Sequence, residues 1–108
     1  MKAAENAAFV IVGYEESRLK PVRWSDHALK NLKEREIDQL EAERTLEIPD
    51  RVIPGRPPRE ILVRRCHDLS LQQEMAICLL IEETATERIV ITLYKTSQMK
   101  KYLDGLKS

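Results

Sequence analysis

From residue 24 to residue 46 apolar side chains return every three or four positions, and beyond residue 60 they gather into runs, so the chain reads as helices followed by strands. Ala28, Leu29 and Leu32 make one helical face, with His27, Lys30, Asn31 and Glu34 on the other side. Ser25 is a good N-cap, Asp26 complements the positive end of the helix dipole, and Trp24 is placed to pack on Leu29 as a hydrophobic staple. Asp38 opens a second helix, in which Glu41 completes an acidic version of the capping box and Ala42, Thr45 and Leu46 supply the inner face. Pro49 ends it.

Pro54, Gly55, Pro57 and Pro58 cannot sit inside regular hydrogen-bonded structure, which predicts a short extended piece from Arg51 and then a turn. Ile61, Leu62 and Val63 open a strand, Met75 to Ile81 are continuously apolar enough for a central strand covered on both faces, and Ile89 to Tyr94 make another. The polar connections Asp68 to Gln73 and Glu83 to Arg88 are of hairpin length and favour antiparallel pairing. Thr96 or Ser97 can cap a last helix bearing Met99, Tyr102 and Leu103, with Gly105 just past its end. The expected architecture is α+β: two N-terminal helices packed on a three- or four-stranded antiparallel sheet, with a short C-terminal helix. Residues 23–108 form one domain, and residues 1–22 are a tail or an added edge strand in which Phe9 to Val12 is the strand-like part.

Composition narrows the class without changing this outline. A chain of 108 residues, 43% hydrophobic and 33% charged, is an ordinary small globular domain. Its apolar runs fall well short of the roughly 20 residues that cross a bilayer, and Glu5 with the Gly13-Tyr14-Glu15-Glu16 sequence argues against a signal peptide, so the expectation is a cytoplasmic protein with no membrane partner. Cys66 and Cys78 are expected to be reduced thiols. Eighteen basic residues balance 18 acidic ones, so any affinity for nucleic acid must come from uneven placement of charge. Residues 50 to 65 are locally basic, with Arg51, Arg56, Arg59, Arg64 and Arg65 against Asp50 and Glu60.

Candidate chemistry centres on the first helix. His27, Asn31 and Arg35 advance about 40° per step and form a polar stripe apart from the core face. An imidazole there can move protons near neutral pH, and the planar guanidinium two turns on can hold a phosphate; a surface histidine and a locally paired arginine are the plainer alternatives. Arg64 and Arg65 alternate across their strand, so only one can point into a groove and stabilise a pentavalent phosphate, while the other protects an edge. Tyr94 and Lys95 end the last strand beside a helix start, where cationic and N–H groups can converge on an anion. Cys66-His67 has no second ligand pair, so no metal is expected, and the lack of a Gly-rich phosphate loop or nucleophile elbow argues against a cofactor.

The pattern His27-Ala28, Lys33-Glu34-Arg35, Ile37, then Pro49-Asp50-Arg51-x-Ile53-Pro54 and Ile91-Thr92-Leu93-Tyr94-Lys95-Thr96 resembles the small bacterial domain-of-unknown-function family 4258 over about three quarters of the chain. Kinship with BrnT and RelE-type toxins would follow, which implies a RelE-like fold, metal-independent RNA cleavage and restraint by a small antitoxin protein. On that resemblance His27, Arg35, Arg64 and Lys95 are the catalytic candidates, and Arg56, Arg59, Arg65 and Tyr94 the candidates for RNA binding. Asn31 stands where the family commonly has another basic residue, and no second general base is visible. A non-catalytic protein- or RNA-binding module that keeps the fold is the competing reading, favoured by the zero net charge and by Asn31. No oligomeric state is selected.

Overall fold

A computed structural model describes residues 20–99 of the chain. Five strands and two helices follow one another as β1 (Val22–Trp24), α1 (Asp26–Glu34), α2 (Gln39–Glu47), β2 (Arg51–Pro54), β3 (Arg59–Asp68), β4 (Gln73–Glu83) and β5 (Arg88–Thr96). The sheet order is β1-β5-β4-β3-β2, with β1 parallel to β5 and every other pair antiparallel. This corrects the expected three- or four-stranded antiparallel sheet of RelE-like type: the sheet has five strands and is mixed. Both added strands are short edges: Val22–Trp24 is held by pairing to residues 88–90 far along the chain, whereas Arg51–Pro54, the extended piece expected there, pairs with Glu60 to Val63 across a short turn. The expected short C-terminal helix is not among the described elements; Tyr102 and Leu103, like the Phe9 to Val12 segment, lie outside the described residues.

Strand alternation sorts the long strands into two faces. One face carries Leu62 and Cys66 of β3, Met75, Ile77, Leu79 and Ile81 of β4, and Val90 and Leu93 of β5, all buried with Ala28, Ile37, Ala42 and Leu46 of the helical layer. Helix α1 packs on β5 and α2 on β3 and β4. The other face gathers Val63, Ala76 and Cys78, flanked by Ile53, Ile61, Tyr94 and Met99. A bulge sets Leu80 opposite Thr92 and Ile81 opposite Val90, leaving Ile91 as the extra residue of β5.

Helix α1 is fixed at both ends by its sequence. Ser25 Oγ accepts from Ala28 N–H at 3.0 Å as an N-cap, donates to the Ile91 carbonyl at 2.8 Å, and the Ser25 N–H bonds the Val90 carbonyl at 3.0 Å, so one residue caps the helix and pins it to β5. At the other end Glu36 adopts φ 51°, the Ile37 N–H reaches back to the Leu32 carbonyl at 3.0 Å, and Ile37 drops into the core. This is a Schellman close, with a glutamate where glycine is usual. Asp38 then caps α2 by accepting from Leu40 N–H at 3.1 Å.

Of the polar stripe expected on α1, His27 and Arg35 are exposed but Asn31 is buried. Ala28, Asn31, Leu32 and Arg35 fall within about 100° of arc and turn toward the sheet, with Asn31 2% exposed and Leu29 48% exposed. Asn31 Nδ2 donates to Thr92 Oγ1 at 2.6 Å, which satisfies the amide and lets the helix rotate a polar residue inward.

Candidate functional site

The cationic residues proposed for catalysis meet at one end of the helix-facing sheet surface. Arg64, Ile77 and Lys95 form a single row across β3, β4 and β5, so the two cationic residues start roughly 10 Å apart at their Cα atoms. The next row is Leu62, Leu79 and Leu93, and Arg35 Nη1 donates to the Leu93 carbonyl at 3.0 Å. Arg35, Arg64 and Lys95 thus gather where the α1–α2 junction overlies the sheet.

Each of them is already engaged. Arg64 Nη1 lies 2.6 Å from Glu41 Oε2 on α2, with the two side chains 19% and 31% exposed. Lys95 Nζ lies 2.9 Å from Asp68 Oδ2, reaching across β4 from β5 to the end of β3, with both side chains less than a fifth exposed. Asp68 also accepts from the Leu71 N–H at 2.9 Å. The Lys95 ammonium bond, followed by the Leu71 N–H, holds the Asp68 carboxyl below the usual carboxylate range.

Cys66 sits among these charges, buried on the helix-facing side of β3. Burial pushes its thiol above the ordinary value; Lys95 and Arg64 pull it down, while Glu41 and Asp68 push it further up. A thiol held protonated in this way is no nucleophile at neutral pH. Cys78, fully buried on the opposite face, is pushed by desolvation up to about 11 against a hydrogen bond from Tyr94.

His27 does not join the cluster. It is exposed near the N-terminus of α1, about 12 Å along the helix axis from Arg35, and makes no side-chain hydrogen bond or ion pair among the described residues. The residues proposed for RNA binding are also apart from Arg64 and Lys95. Arg59, Arg65 and Tyr94 alternate to the other face of the sheet, and Arg56 lies in the turn between β2 and β3. Arg59 Nε bonds Glu82 Oε1 at 3.0 Å, whereas the exposed side chains of Arg56 and Arg65 have no partner among the described residues. Cys66 and His67 point to opposite faces, His67 pairing with Glu74 at 2.8 Å, and no group of three or more metal-ligating side chains occurs among the described residues.

Two residues of this cluster carry no sign of their role in the sequence: Glu41 reads as a helix-capping residue and Asp68 as part of a polar connection, although alternation from Leu62 through Arg64 and Cys66 places Asp68 on the helix-facing side.

The pairing makes a pH prediction. Because the folded carboxyl of Asp68 titrates below its unfolded value of about 3.9, its contribution to stability is complete above that value and is lost as pH falls through the lower folded one. Urea midpoints measured across an acid pH series should show the stability gap between wild type and Asp68→Asn closing as pH falls below about 4. A gap that stays constant into strong acid would contradict the Lys95 pairing.

Among the described residues no helix is long and apolar enough to cross a membrane. The chain matches no family model, no curated protein and no solved structure.

Proposed function

We propose that this domain is a non-catalytic binding module for a macromolecular partner. The observation that carries the reading is the state of its cations: Arg64 is held by Glu41, Lys95 by Asp68 and Arg35 by a backbone carbonyl, while the lone histidine of the helix stands outside the cluster. A transesterifying ribonuclease needs a base within reach of the 2′-hydroxyl and cationic groups free to take up charge developing on the phosphate. Here an incoming phosphate would have to displace two carboxylates that are only partly exposed, and the His27 imidazole does not lie beside the place it would occupy.

A toxin-like ribonuclease related to family 4258, restrained by a small antitoxin, is the second reading, and the convergence of Arg35, Arg64 and Lys95 favours it. Cytoplasmic residence belongs to the same proposal and is supported by Cys66 and Cys78 standing as free thiols on opposite faces of the sheet.

Incubating RNA with the purified protein in a chelator, beside His27→Ala, separates the two. We expect equal, background-level cleavage from both. Cleavage by the wild type that drops about 100-fold or more in His27→Ala, the usual cost of losing a general acid or base, would overturn the non-catalytic reading and establish the nuclease.

A further inference from the structure

We draw no further inference here: the strongest candidate, the groove between the end of α2 and β2 lined by Ile48, Pro49, Asp50, Arg64 and Arg65, has its two arginines balanced by Glu41 and Asp50, and nothing in the structure shows what covers it.

Discussion

Replacing Leu79 by alanine should lower the stability of the domain by about 2–5 kcal/mol, out of the roughly 5–15 kcal/mol that a small domain has in total. Leu79 is fully buried in the central strand, between Leu62 on β3 and Leu93 on β5, which are themselves 1% and 0% exposed. Helices α1 and α2 cover this row, so truncation leaves a cavity that the three strands cannot close without losing their register. Urea denaturation is the measurement, with Leu40→Ala as the comparison. Leu40 is 66% exposed and should change stability by no more than about 0.5 kcal/mol. Similar costs at the two positions would mean that α2 is seated on the sheet by a different face.

The second large effect belongs to Asn31. Its amide is buried and bonded to the Thr92 hydroxyl, so Asn31→Leu removes one partner and strands the other under α1, at a cost of about 1–3 kcal/mol. Removing both partners should cost less than the sum of the single changes, because Asn31→Leu with Thr92→Val replaces a polar contact by an apolar one of similar volume. A double-mutant cycle in urea measures the coupling. Strict additivity would show that the helix does not rest on β5 through this bond.

These two residues mark the limits of what the letters of the chain convey. Met75 to Ile81 is apolar at every position, and such a run has few destinations other than a strand covered on both sides, so the centre of the sheet was legible. The caps at Ser25 and Asp38 were legible too, since a side-chain oxygen before an amphipathic run has a local use. Asn31 reads from sequence as outward-facing, because its inward turn depends on Thr92, 61 residues away. The parallel edge strand Val22–Trp24 has the same character: nothing in three residues beside a proline announces a partner near the other end of the domain.

The candidate site was half legible. Arginine and lysine at strand ends are visible as cations, and alternation correctly separates Arg64 from Arg65. Their partners are not visible, because Glu41 reaches Arg64 from another element and Lys95 crosses an intervening strand to reach Asp68. A positive residue therefore reads from sequence as a free charge when the fold has already matched it.

The parallel docking of β1 on β5 also bears on how the protein is made. Val22 is paired with Arg88 and Trp24 with Val90, and α1 leans on the same late strand, so among the described elements β1 and α1 have no sheet partner to rest on until β5 has been translated. Hairpins β2–β3 and β3–β4 can zip while synthesis continues, but closure of the domain waits for its C-terminal third. A nascent chain stalled before residue 88 would hold a helix with its apolar side bare, which is the form most in need of a chaperone.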